Sequence, residues 1–293
     1  MRVLITGADG FVGRYVLEEL ASGGHERIEF SGDLRDAEAT RKLVEEARPE
    51  ACIHLAAIAF VPQTWEDPAH AFEVNVNGTL NLLEAFRAID SAAPILVVSS
   101  SEVYGREARE TPLRETDDLR PSNPYAISKA AADRMALLYA ARYGMKIMTA
   151  RPNNHIGPGQ AASFVISSFA QQLIRIAADP SDNIMRVGNL ESRRDFIDVR
   201  DVARAYRLLI ERGEAGEAYN IASGQLFAIQ TVLDQISVIL NVQPKIEINP
   251  DLFRPTDEQP RLDTRKIEDH VGWKPEIPLE TTLRDIVDGL KEP

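Results

Sequence analysis

The chain has 293 residues, 44% of them hydrophobic, one cysteine and a formal net charge of −12. That much apolar material can fill a sizeable core, which excludes a disordered or fibrous chain. The acidic balance excludes generic nucleic-acid or membrane-surface binding, which needs a basic face, and no apolar run approaches the ~20 residues that cross a bilayer.

The first element is a strand, "RVLIT" at 2–6, with neither a basic region nor a cleavage site before it, so the chain is expected to be cytoplasmic. It runs into "TGADGFVG", which sets Gly7, Gly10 and Gly13 between a strand and the helical pattern "FVGRYVLEELA". A tight turn, close backbone approach to a pyrophosphate and close helix-to-sheet packing all need glycine at such a junction. The spacing is GxxGxxG, where the standard dinucleotide fingerprint is GxGxxG. Only one short strand, "RIEF", fits before "GDLRD" at 32–36. Glu29 or Asp33 could accept from ribose hydroxyls and Arg27 or Arg35 could face a 2′-phosphate, which leaves NAD and NADP both open. Strands follow at "ACIHLAA" (51–57), "PILVVSS" (94–100) and "KIMTARP" (146–152), separated by stretches with helical spacing of apolar residues. Cys52, inside the first of these three strands, reads as a buried thiol. The alternation predicts an α/β chain with a Rossmann-type doubly wound parallel sheet, covered on both faces. From about 154 the texture changes to longer Pro/Gly-containing connections, "HIGPGQ" and "NPDLFRPTDEQP". A smaller C-terminal α/β region over the carboxyl ends of the strands is expected there.

"SNPYAISK" at 122–129 places Tyr125 and Lys129 one turn apart if Pro124 opens a helix. An ammonium beside a phenol stabilises the phenolate, lowering the tyrosine's pKa towards a usable range for acid–base work. YxxxK alone is common on helix surfaces. "VVSSSEVYG" adds Ser99, Ser100 and Ser101 at the carboxyl end of a central strand, where a hydroxyl could enter the cofactor crevice. Glycine loop, strand-end serine and Tyr/Lys pair, in that order, spell a hydride-transfer site. The five histidines, His25, His54, His70, His155 and His270, are scattered without ligand spacing, so no metal site is expected. His54, on a buried strand, reads as a satisfied core histidine.

Taken together, "TGADGFVG", "HLAA", "NVNGTLNLLEA", "SSSEVYG", "YAISK", "RPNN", "RRDFIDVRDVARA", "YNIASG", "RPTD" and "GWKPEIPLE" resemble, in order and spacing, the extended short-chain dehydrogenase/reductases that act on nucleotide sugars. The resemblance runs end to end. It implies Ser100 as catalytic hydroxyl, Tyr125 as proton donor or acceptor, and Lys129 as the residue that holds the nicotinamide ribose and tunes Tyr125. It extends the cofactor cradle to Asp9, Phe11 and Val12 beside the three glycines, to Asp33 and Leu34, and to Leu55, Ala56 and Ala57. It assigns Asn154, Arg194 and Arg254 to the substrate's diphosphate end, a sensible choice since guanidinium forks match phosphate oxygens. A salt bridge from Arg194 to Asp195 or Asp198 is the competing structural use. The implied boundaries are 1–153, with a returning segment of about 193–215, for NAD(P) binding, and 154–192 with 216–293 for the nucleotide sugar.

Within the family, "RPNNHIGPGQ" most resembles GDP-4-keto-6-deoxy-D-mannose reductases, and GDP-mannose 4,6-dehydratases depart there. Asn153 stands where relatives carry a bulky residue. Glu102, two residues after Ser100, holds the place of the dehydratase base, or else is a loop carboxylate that positions the sugar. The resemblance therefore implies an NADPH- or NADH-dependent reductase, with a 4,6-dehydratase or 4-epimerase as the alternative and a non-catalytic NAD(P) sensor as a third reading. It also implies a homodimer formed through helices around 68–89 and 124–142, where Leu80, Leu83, Met135 and Leu138 suit either that contact or the core.

Overall fold

The computed structural model describes residues 1–106, 111–252 and 259–291. Its first half runs β1 (Arg2–Thr6), α1 (Phe11–Ser22), β2 (Glu26–Glu29), α2 (Ala37–Ala47), β3 (Ala51–His54), α3 (Val61–Glu66) and α4 (Pro68–Phe72). A π-helical turn (Glu73–Asn77) leads to α5 (Gly78–Ala88), β4 (Ile95–Val98), a 3₁₀ turn (Ser101–Tyr104), α6 (Pro124–Tyr143) and β5 (Ile147–Pro152). The second half runs β6 (Asn154–Ile156), α7 (Val165–Ala178), β7 (Ile184–Val187), β8 (Arg193–Asp198), α8 (Val199–Arg212) and β9 (Ala218–Ile221). It ends with β10 (Leu226–Ala228), α9 (Ile229–Leu240), β11 (Lys245–Ile248), α10 (Arg265–Val271) and α11 (Leu279–Lys291).

The main sheet has six parallel strands in the order β2-β1-β3-β4-β5-β9. Side-chain alternation divides each strand between two cores. Val3 and Ile5 of β1 lie under α1 and α8 with Val16, Leu20 and Tyr206, whereas Leu4 faces the opposite layer with Leu82, Phe86 and Ala136. Each such wholly buried large side chain stabilises the fold by about 1.5–3 kcal/mol relative to exposure. The chain turns one way from β1 to β2 and returns to the other side of β1 with β3, so the strand order reverses between β1 and β3. Doubly wound sheets bind ligands at the carboxyl ends of strands beside such a reversal.

The smaller region has its own core, in which Phe169 and Leu173 of α7, Val232 and Ile236 of α9 and Ile286 of α11 pack over β7 and β8. Two expected boundaries are corrected. Ala218–Ile221 is the sixth strand of the main sheet, because Tyr219 and Ile221 bury their side chains in the core shared with α8 and α10. The segment 193–215 is likewise divided: α8 covers the main sheet, but β8 pairs with β6 and β10 in a separate three-stranded sheet. Of the apolar positions considered for dimer contact, Leu83 is buried in the core and Leu138 is 62% exposed. No helix among the described residues is long and apolar enough to cross a membrane.

Candidate active site

The glycine loop closes β1 onto α1 with almost no spare room. Gly7 has a φ of +69°, and a Cβ there would meet Ala56 Cα at 2.9 Å; one on Gly13 would lie 2.3 Å from the Ala8 carbonyl oxygen. Gly10 is exposed, begins α1 without a side-chain cap, and no acidic residue occupies the first turn. The N–H groups and partial positive charge of that helix end therefore face outward uncapped, a setting suited to a pyrophosphate. Asp9 is exposed beside them, Phe11 and Val12 are half-buried, and the Leu55–Ala57 turn runs against Gly7. Leu34 is a buried core residue whose carbonyl accepts from Asn81, so its side chain is not offered to a ligand.

At the ribose end, the Asp33 carboxylate is forked by Arg35, with Nε and Nη2 at 3.0 and 2.6 Å, and that guanidinium holds it down at about 2. Arg27 turns instead to the Leu17 carbonyl at 3.5 Å. His54 is confirmed as a satisfied core histidine: Thr6 Oγ1 lies 2.7 Å from Nδ1 and Thr79 Oγ1 2.8 Å from Nε2, and burial pushes its pKa down to about 3.

Pro124 does open α6, behind an Asn123 cap whose Oδ1 accepts from Ala126 N at 2.8 Å. Tyr125, Lys129 and Asp133 then recur at one-turn intervals on a single face. Burial pushes the Tyr125 phenol up to about 12, contact with the Ser100 hydroxyl pulls it back, and Glu102 adds to the rise. Burial pushes Lys129 down to about 8, against the pull of Asp133. Against the expectation of a lowered phenol, burial sets the Tyr125 pKa above its ordinary value, and the Lys129 ammonium donates to the Val98 carbonyl at the end of β4. Ser100 caps the 3₁₀ turn, its Oγ accepting from Glu102 N at 3.2 Å. Glu102 pairs with Arg106 at 3.0 Å and accepts from Asn123 Nδ2 at 3.2 Å, tying this turn to the start of the tyrosine's helix.

The substrate-side residues divide. Asn154 begins β6 and is half-buried, with Nδ2 donating to Gln259 Oε1 at 2.8 Å. Arg194 lies on β8, where Nη1 donates to the Arg193 carbonyl at 2.9 Å. The two aspartates considered as its partners have work of their own: Asp195 accepts from Ser223 N and Gly224 N, and Asp198 from Arg200 and Thr282. Arg254 lies outside the described residues.

Three supports were missed by sequence reasoning. Asn75, placed inward by the π-helical turn, bonds both polar groups of Ile58 and Ser128 Oγ, bracing α6. Arg151 and Asp133 form a wholly buried fork, and Arg151 also reaches Tyr104 Oη at 2.8 Å. Gln259 joins four polar partners from three segments, Ser101, the adjacent Asn153 and Asn154, and Asp195. Arg151 opens the motif "RPNN" and Asn75 opens "NVNGTLNLLEA", so both stand in stretches that carry the resemblance; no local signal marks Gln259.

A glycine-lined crevice at the strand reversal, with Ser100, Tyr125 and Lys129 grouped at the end of β4, defines a Rossmann-type protein of the short-chain dehydrogenase kind. A family model described as GDP-mannose 4,6 dehydratase matches residues 25–286. GDP-6-deoxy-D-mannose reductase of Pseudomonas aeruginosa is 38% identical over 292 residues, covering 98% of this chain and 96% of its own. The solved structure of RMD from Pseudomonas aeruginosa complexed with NADPH superposes with a TM-score of 0.91 at 37% identity, covering 98% of each chain. That of Thermus thermophilus UDP-glucose 4-epimerase in complex with NAD gives 0.89 at 30% identity, covering 100% of this chain and 99% of the other. The chain belongs to the extended short-chain dehydrogenase/reductases, the NAD-dependent epimerase/dehydratase family of nucleotide-sugar-modifying enzymes.

Proposed function

We propose that the protein is a GDP-4-dehydro-6-deoxy-D-mannose reductase that uses NADPH or NADH and yields GDP-D-rhamnose. The observation that carries this reading is the 38% identity, across 98% of the chain, to a GDP-6-deoxy-D-mannose reductase. The uncapped helix end at Gly10, the Ala56 turn packed on Gly7, and the Asp33/Arg35 pair fit a dinucleotide. Gly7, Gly10 and Gly13 would hold its pyrophosphate through backbone N–H groups, and Asp33 or Arg35 its adenosine ribose. When bound, the nicotinamide supplies the hydride that reduces the sugar's C4 ketone.

The chain's own residues supply the proton and the electrostatics. Tyr125, kept protonated by burial with a pKa of about 12, donates its proton to the developing C4 alkoxide. Ser100 Oγ donates a hydrogen bond to the same oxygen, and the Lys129 ammonium stabilises the phenolate left behind. Arg194 and Arg254 supply positive charge for the diphosphate, which a chain of net charge −12 must provide locally.

A 4,6-dehydratase is the second reading, favoured by the family model and by Glu102 beside Ser100. It needs a carboxylate free to take a proton, whereas Glu102 is engaged by Arg106 and Asn123. The deciding experiment mixes purified protein with GDP-4-keto-6-deoxy-D-mannose and NADPH, then NADH, and identifies the product sugar. One cofactor oxidised per GDP-rhamnose formed supports the reductase. Activity on GDP-mannose with no net cofactor oxidation supports the dehydratase.

A further inference from the structure

The Gln259 carboxamide is buried and fully used. Its Oε1 accepts from Asp195 N at 3.1 Å and Asn154 Nδ2 at 2.8 Å, while its Nε2 donates to Asn153 Oδ1 at 2.7 Å and Ser101 Oγ at 3.2 Å. One of these partners fixes all the others. A backbone N–H can only donate, so the atom facing Asp195 N must be the Gln259 oxygen. The Asn154 atom facing that same oxygen must in turn be Nδ2, since an oxygen there would set two acceptors against each other. The second Nδ2 hydrogen points to the Asp195 carbonyl at 3.4 Å. Both Asn154 donors are therefore committed to the protein. What remains is Oδ1, which accepts from no described residue and can only accept.

Phosphate oxygens are acceptors too, and an acceptor cannot bind them. We propose that Gln259 is a positioning residue that holds Asn154 with Oδ1 towards the substrate crevice, so that Asn154 reads a hydroxyl of the sugar and not the diphosphate. This rests on the nucleotide-sugar reading above and revises the role that the family resemblance implies for Asn154. It also makes Gln259 the link between Asn154 and the serine turn at the end of β4, through Ser101 Oγ.

The test separates sugar from diphosphate by calorimetric binding of GDP and GDP-mannose, with UDP/UDP-glucose and dTDP/dTDP-glucose as further pairs. For whichever pair binds the wild type, Asn154→Ala should weaken the sugar nucleotide about three- to ten-fold, one neutral hydrogen bond, and leave the free diphosphate within about twofold. Gln259→Met, close in shape but without the amide, should reproduce that selective loss in the wild-type background. In the Asn154→Ala background it should add nothing to the ratio of the two affinities. Equal weakening of diphosphate and sugar nucleotide by Asn154→Ala would overturn the proposal and return Asn154 to the phosphates. A full additional effect of Gln259→Met on that ratio in the double variant would overturn the positioning role. Should Gln259→Met fail to fold, Asn154→Ala alone still decides what Asn154 reads. If no pair binds the wild type, the nucleotide-sugar reading itself falls, and this inference with it.

Discussion

Replacing Lys129 by Met should cost the protein its activity while making it more stable at neutral pH. Lys129 is buried, 7% exposed, and its pKa falls from an ordinary 10.5 to about 8. At ~1.4 kcal/mol for each tenfold change in proton affinity, keeping that ammonium charged inside the fold costs roughly 3 kcal/mol at pH 7. The hydrogen bond to the Val98 carbonyl returns about 1 kcal/mol of this, so the variant should gain about 2 kcal/mol. The sign follows from linkage. Between pH 8 and 10.5 the unfolded chain binds more protons at this lysine than the folded one does, so wild-type stability rises with pH through that window. The advantage of the Met variant should be full below pH 8 and gone near pH 10.5. Urea denaturation of both proteins at several pH values measures it. A gap that stays constant across the window, or a Met variant less stable at pH 7, would refute the reasoning.

Tyr125→Phe should lower turnover by about 10²- to 10⁴-fold, the range for removing a general acid, with NADPH affinity within about threefold by fluorescence titration. Because Tyr125 titrates only at about 12, the descending limb of kcat/KM in the free enzyme should lie near pH 8 and follow loss of the Lys129 proton. Glu102→Gln should lower steady-state reduction less than tenfold, since the amide can keep one bond at that place; a loss as large as that of Tyr125→Phe would give Glu102 the acid–base role. Gly13→Ala puts a methyl against the carbonyl oxygens of Ala8 and Gly7 at 2.3 and 2.5 Å, and should abolish cofactor binding in the same titration.

Much of this architecture is legible in the sequence because it depends on near neighbours. The strands at 2–6, 51–54, 95–98 and 147–152 announce themselves as short apolar runs between helical periods. Pro124 at a helix start and glycines at a strand end act within a few residues, so the position of the Tyr/Lys pair and the loop could be inferred. "YNIASG" follows a change of texture that points it to the C-terminal region, whereas packing of Tyr219 and Ile221 against α8 and α10 places β9 in the main sheet. The direction of the Lys129 ammonium is equally invisible, being decided by a carbonyl 31 residues away. Gln259 lies 105 residues from Asn154 and 158 from Ser101, separations over which no local rule operates. Asn75 faces inward because a π-helical turn interrupts the helical period, and a reading based on ideal spacing cannot place it.

Net hydride transfer to C4 of the sugar is tested most directly by isotopic labelling. The protein would be supplied with GDP-4-keto-6-deoxy-D-mannose and NADPH deuterated at the transferable position, and the product analysed by NMR. One deuterium at C4 of GDP-rhamnose is expected for each cofactor oxidised. No deuterium at C4 of the sugar, with the keto sugar and the deuterated NADPH both recovered unchanged in the presence of folded protein, would contradict it.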